Sequence, residues 1–381
     1  MNVRKSCLLI VVSILSFSAH AEVPVDVMPK SLSLPDEYPD SWIFAHDVNY
    51  YTMEIGKYIV LDLAATSHQY KGVFQGAKDA AFVESKQRSE LYVAETVYAR
   101  GSHGQRTDVL TIYEKVNLTP IAEIILPGEK RALMVPHKGM LQLTHDEKFA
   151  LVFNFTPAAS VTVVDMDQRK VVNEVPVPGC TLIYPSGQRG FSTLCGNGSL
   201  ASYALDPKGK VTNENISAIF NKIDSNVVYM TPAYINGVAY FPTEQGQIQA
   251  IDMSKNVPDI LPAWSLTSAE GEKGVWRTSR GQSVASGPSG RLFVLMHQID
   301  SAGQRQPGTT EVWVFDVTRQ QRLSRIALKQ DGYIIEVTQG KAPYLALVSQ
   351  NGIDVYNATT HQFVQTIGGM RRSPVLLHAS K

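Results

Sequence analysis

ALVFNF (Ala150 to Phe155), VTVVD (Val161 to Asp165) and VVNEV (Val171 to Val175) follow one another with a Pro-containing turn before the second and the polar MDQRK before the third. Three short apolar runs joined by tight polar turns predict an antiparallel meander. The next stretch, GCTLIYPSGQRGFSTLCGNGSL (Gly179 to Leu200), begins another of the same kind. A lone meander cannot bury both of its faces, so the pattern requires neighbours built alike.

The neighbours are in the chain. An apolar strand that ends at an acidic or amide residue opening a turn recurs at Asp62, Glu114, Asp165, Asp206, Asp252, Asp316 and Asn357. Seven copies spaced 41 to 64 residues apart match the length that four short strands and their turns require. The longest interval holds SAGQRQPG (Ser301 to Gly308), a loop-tip composition. The best helical candidate, NENISAIFNKID (Asn213 to Asp224), is short. The expected fold is all-β, a seven-bladed β-propeller of four-stranded antiparallel blades over residues 42–381. A pair of irregular β-sandwiches is the alternative, and its Greek-key spacing suits the repeat less well.

The N-terminus reads as an export signal. Met-Asn-Val-Arg-Lys precedes the apolar run CLLIVVSILSF (Cys7 to Phe17) and the small-residue site Ala19-His20-Ala21. Cleavage would start the mature chain at Glu22. The apolar run is shorter than the ~20 residues a membrane-spanning helix needs, which argues against an uncleaved anchor. Residues 22–41, rich in Pro and acids without a period, are expected to form an extended arm outside the propeller.

Loss of residues 1–21 removes Cys7 and leaves Cys180 and Cys195, an even pair expected to form a structural disulfide in an exported chain. Lys plus Arg equals Asp plus Glu at 35 each, without long runs of either sign. Nucleic acid and membrane surfaces are therefore not expected partners.

No local catalytic signature appears. The nine histidines include no pair at i, i+2 or i, i+4, so no protein-held metal is expected. G-x-S-x-G and P-loop motifs are absent, and Gly196-Asn197-Gly198 reads as a tight turn, since it lacks the third glycine of a dinucleotide fingerprint. These residues by themselves favour a binding or scaffolding chain over a self-sufficient enzyme.

At LYVAETVYARGSHGQRTDVLTIYE (Leu91 to Glu114) the chain resembles the large subunit of the quinoprotein amine dehydrogenases, the methylamine and aromatic amine enzymes. The resemblance continues at FALVFNFTPAASVTVVD (Phe149 to Asp165), through Cys180 to Leu200, and at GRLFVLMH and EVWVFD (Gly290 to Asp316). It implies a periplasmic assembly of two large and two small subunits. In such assemblies tryptophan tryptophylquinone sits on the small partner, no cofactor or catalytic residue sits on this chain, and a blue-copper protein accepts the electrons. The implied reaction is oxidative deamination of a primary amine to aldehyde and ammonia.

It also implies that an aromatic residue after the first strand lines the substrate channel. The matching phrase WIFAHDVNYYTME (Trp42 to Glu54) puts Tyr50 and Tyr51 there, against the plainer reading that both are ordinary strand residues. Two stretches depart from the family pattern: Trp276 to Gln282, where a Pro and a Gly are missing, and Gly303-Gln304-Arg305, which replaces a Thr-His-Lys block. The competing functions are a propeller that has lost its small subunit and serves as a scaffold, and a self-sufficient propeller dehydrogenase with pyrroloquinoline quinone and calcium. Four tryptophans and no repeated Trp-docking motif weaken the second of these.

Overall fold

The computed structural model describes residues 33–49, 55–267, 274–370 and 374–380. They form seven antiparallel sheets, each a blade, in an all-β propeller. Blade 2 shows the pattern: Lys78–Glu84, Glu90–Arg100, His103–Glu114 and Pro120–Leu126 pair in chain order from the axis outward. The first strands of successive blades lie against one another around the ring. Blade 1 is composite, its order being Tyr70–Gly76, Gly56–Asp62, Trp42–Asp47 and Pro374–Ala379. The C-terminal strand therefore closes the ring by pairing with the first strand of the described chain, Ile43 opposite Ala379 and Ala45 opposite Leu377.

The residues that betrayed the repeat have one job in all seven blades. Each ends or directly follows the third strand of its blade, where its side chain satisfies the turn to the fourth. The Asp165 carboxylate accepts from the amides of Asp167 and Gln168, Asp316 from Thr318 and Arg319, and the Asn357 carbonyl from Thr359 and Thr360, at 2.8–3.0 Å. Asp62, Asp206 and Asp252 do the same. A short side-chain acceptor reaches the backbone two residues on, which is why Asp and Asn recur there. Glu114, one methylene longer, instead receives the side chains of Asn117 and Thr119.

A second repeat was not evident from the sequence. In five blades a buried hydroxyl residue directly follows the inner strand: Ser380, Ser85, Thr144, Ser186 and Thr338. Each amide donates to the start of the next strand, at Trp42, Glu90, Phe149, Gly190 and Tyr344, over 2.9–3.1 Å. Burial is greatest in the middle strands of a blade and lowest at its outer edge. Phe149–Asn154 and Ser160–Asp165 are buried throughout, whereas the outer strand Val211–Ile216 is exposed at every position. The latter covers the start of the helical candidate Asn213 to Asp224. Pairing of Asn213, Glu214 and Asn215 with the third strand of blade 4 holds that segment extended at the sheet edge.

Closure is reinforced by a buried polar knot. Lys115 Nζ lies 2.8 Å from Glu84 Oε1, and the Ser380 hydroxyl donates to the same oxygen at 2.9 Å. Removing one partner of such a pair strands a buried charge. Ahead of the first strand, the Leu34 amide donates to Val116 O and the Tyr38 hydroxyl to Lys115 O, while the Tyr38 ring packs 4.9 Å from Trp42. Among the described residues no helix is long and apolar enough to cross a membrane.

Cys180 and Cys195 are direct cross-strand partners in the first two strands of blade 4 and are disulfide-bonded. Below them Gly198, at φ +87°, returns its amide to Cys195 O; a Cβ there would lie 2.2 Å from Asn221 O. The Gly196-Asn197-Gly198 stretch is a tight turn. The bridge joins residues 15 apart, so Cys180→Ser should lower unfolding stability by roughly 2–5 kcal/mol. Chemical denaturation with thiol titration checks this; two titratable thiols in the oxidised protein would disprove the bridge.

Candidate docking face and axial cluster

An antiparallel meander sends alternate connections to opposite ends of a blade. The turns after first and third strands share one face of the ring. The turns after second strands, and the links between blades, share the other. The two faces differ in chemistry. The first is tied by ion pairs between neighbouring blades, Arg88 to Asp167 at 2.7 Å, Arg189 to Asp146 at 2.6 Å and Arg169 to Glu90 at 2.8 Å. The second exposes large apolar side chains, among them Ile219 at 69%, Phe155 at 62%, Ile55 at 57% and Val135 at 48%.

The stretch expected to line the substrate channel leaves the first strand on the second face, at Asp47. Asp47 ends the first strand there, accepts from the Asn49 amide at 2.8 Å and lies 3.8 Å from Lys57 Nζ. Tyr50 and Tyr51 lie outside the described residues. Next to Asp47, His46 packs against Tyr58 with the rings tilted and 4.3 Å between ring centres. Both side chains are buried, and neither His46 Nδ1 nor the Tyr58 hydroxyl has a hydrogen-bond partner among the described residues. Burial pushes the His46 imidazole down to about 3 and the Tyr58 phenol well up. The disulfide sits at this same end of blade 4, where the first strand begins and the second ends.

At the axis, residues from opposite blades meet. Lys138, in the short 3-10 turn before the inner strand of blade 3, reaches Glu336 on the inner strand of blade 7 at 2.5 Å. The buried Gln282 amide group donates to Glu336 Oε2 and to the carbonyls of Ile335 and Leu377, and its oxygen accepts from the Leu377 amide, all within 2.9 Å. One side chain thereby links blades 6, 7 and 1. Nothing local in the sequence announces this cluster, since Lys138 and Glu336 are 198 residues apart.

Gln282 stands in a bulge that splits the inner strand of blade 6 into Val275–Thr278 and Val284–Gly287. The bulge lies in the Trp276 to Gln282 stretch. Gly281, at φ +92°, allows the bulge. The second departing stretch, Gly303 to Arg305, lies between the second and third strands of the same blade and folds over blade 7, where Arg305 donates to Gly332 O at 2.9 Å. Between the two stands His297, 3.3 Å from the Ser279 hydroxyl. Burial, with the Arg305 and Arg277 charges outweighing Asp331, holds its imidazole down to about 4. Among the described residues no group of three or more His, Cys, Asp or Glu is placed to hold a metal ion.

Fold and faces define a seven-bladed propeller with several large apolar side chains exposed on one face. The chain belongs to the methylamine dehydrogenase heavy chain family: a profile of that family, described as "Methylamine dehydrogenase heavy chain (MADH)", matches residues 42–380. The methylamine dehydrogenase heavy chain of Methylorubrum extorquens is 30% identical over 293 residues, covering 75% of this chain and 70% of the relative. That of Methylophilus methylotrophus is 28% identical over 292 residues, covering 75% and 71%. Among solved structures, dihydro-heme d1 dehydrogenase NirN superposes with a TM-score of 0.54 at 12% identity, over 94% of this chain and 78% of that one. A functionally unknown protein from Desulfotomaculum acetoxidans gives 0.52 at 12%, over 88% and 98%. At such identity the likeness concerns the fold alone.

Because His46 is neutral when folded and titrates near 6.5 when unfolded, the unfolded chain binds the extra proton below that value. Stability from this group is complete above about pH 6.5 and is lost as pH falls toward about 3. Urea unfolding at several pH values should show His46→Gln removing up to one proton from the acid-side slope, about 1.4 kcal/mol per pH unit. An unchanged slope would contradict a buried neutral histidine.

Proposed function

We propose that this chain is the cofactor-free propeller subunit of a periplasmic amine dehydrogenase whose small subunit carries tryptophan tryptophylquinone. The family match across all seven blades, 42–380, carries the reading. The exposed apolar face around Phe155, Val135 and Ile219 supports it by offering a surface for a second chain. The assembly would contain two large and two small subunits, exported through the N-terminal signal of residues 1–21. The quinone would supply the redox chemistry of oxidative deamination, with electrons leaving to a blue-copper protein. This chain's residues would bind the partner, keep water from the junction, and line the amine's entry with Tyr50 and Tyr51. Asp47 and its bond to the Asn49 amide anchor one end of that loop.

Purification from the native host tests the reading. A small Cys-rich chain with a quinone absorption band should accompany this one, and the isolated chain should reduce no dye with amine. Amine-dependent dye reduction by the isolated chain, or a native chain without a partner, would overturn it; the latter outcome leaves the scaffold reading. In the assembled complex, Tyr50→Ala or Tyr51→Ala should shift the kcat/KM ratio for short aliphatic against arylalkyl amines about tenfold, on the order of 1.4 kcal/mol. A ratio that moves less than about twofold for both would place selectivity on the small subunit alone.

A further inference from the structure

Side chains from several blades meet on the axis of the ring and fill it. Lys138 comes from the link ahead of blade 3 and Glu336 from the inner strand of blade 7. Blades 1 and 2 stand between them on one side and blades 4 to 6 on the other, so their 2.5 Å contact crosses the ring. Gln142 donates to Lys138 O at 2.6 Å and holds that turn in place. The turn packs on blade 4, where a Cβ at Gly139 would lie 3.0 Å from Leu182 Cβ. From blade 6 the bulge carries Gln282 inward. Its backbone carbonyl accepts from the Ile335 amide at 3.0 Å, and its side chain donates to Glu336 Oε2 at 2.9 Å and to Leu377 O of blade 1 at 2.8 Å. Groups that line a water-filled channel keep contact with solvent, and these do not: Gln282 is 1% exposed and Glu336 8%. The Lys138 side chain, 27% exposed, forms the solvent boundary of the layer. Burial also holds the neighbouring His137 imidazole below its usual range. Charges survive in so dry a layer because each meets a partner of opposite sign or a hydrogen-bonding group.

We propose that Lys138, Gln282 and Glu336 plug the central channel, so that no solute passes from one face of the ring to the other. A propeller is built around such a channel, and a path through it needs this layer open. Polar groups suit a plug, because a fully satisfied hydrogen-bond network fixes the position of each member. For the proposed assembly, and resting on that reading, the amine then reaches the partner along a face of the ring and not through its centre.

The test uses the free full chain, so its outcome is separate from whether a small subunit is found. In a high-resolution crystal structure of the wild type, ordered waters should enter the axis from each face and stop on either side of Gln282 and Glu336. A file of waters running past both residues would overturn the plug, and this needs no variant. The double variant Lys138→Ala with Gln282→Ala should show one continuous file joining the two faces. An intact ring whose axis stays dry in that variant would overturn the assignment to these side chains. Hydrogen exchange read by mass spectrometry gives the solution counterpart. Residues 332–337 and 374–379 should exchange about tenfold faster in the double variant, while the outer strand 211–216 keeps its wild-type rate. Unchanged exchange at 332–337 and 374–379 in a folded double variant would count against the plug in the same way.

Discussion

Ring closure is the constraint on which every other feature depends. A propeller blade buries its faces only against two neighbours, so an open ring would leave the inner strands of blades 1 and 7 half covered. The closing contact is the pairing of Pro374–Ala379 with Trp42–Asp47, which gives blade 1 its innermost strand from the far end of the chain. The entropy of joining distant segments rises only logarithmically with separation, so one short strand with the Glu84, Lys115 and Ser380 knot suffices. The knot also tells why closure is specific. The Lys115–Glu84 pair lies within blade 2, and another register of the closing strand would take the Ser380 hydroxyl away from the buried Glu84 carboxylate.

Much of this architecture was legible because its determinants are local. The turn after each third strand needs an acceptor two residues behind an amide, and Asp or Asn supplies it within a handful of positions. The buried hydroxyl that follows five inner strands is equally regular in space. It escapes a reading of the sequence because Ser and Thr are common and the strands before them differ widely in composition. The composite first blade was hidden for another reason: no local pattern says that PVLLHA (Pro374 to Ala379) near the C-terminus belongs beside WIFAHD, since such a run fits any buried strand.

The candidate site was less legible, and again for a physical reason. Cys180 and Cys195 could be paired on paper because a tight hairpin separates them. Lys138, Gln282 and Glu336 meet only after the four inter-blade links from blade 3 to blade 7 have turned the chain around the axis. Arg277 and Arg305 lie on one blade, but their shared surroundings arise from a strand bulge and from a loop that crosses to the neighbouring blade. Both stretches stood out in the sequence as departures from a resemblance; what they do required the fold.

The axial cluster bears on how the apolar face can work. Lys138 and Glu336 tie blade 3 to blade 7 across the ring, and Gln282 joins blades 6, 7 and 1 through both ends of its amide. Cross-ties of this sort oppose shear between blades, so the loops on that face are carried by a preorganised frame. A preorganised surface gives up little conformational entropy when a partner docks. Modest apolar patches can then sustain a stable complex without a large rearrangement of the propeller.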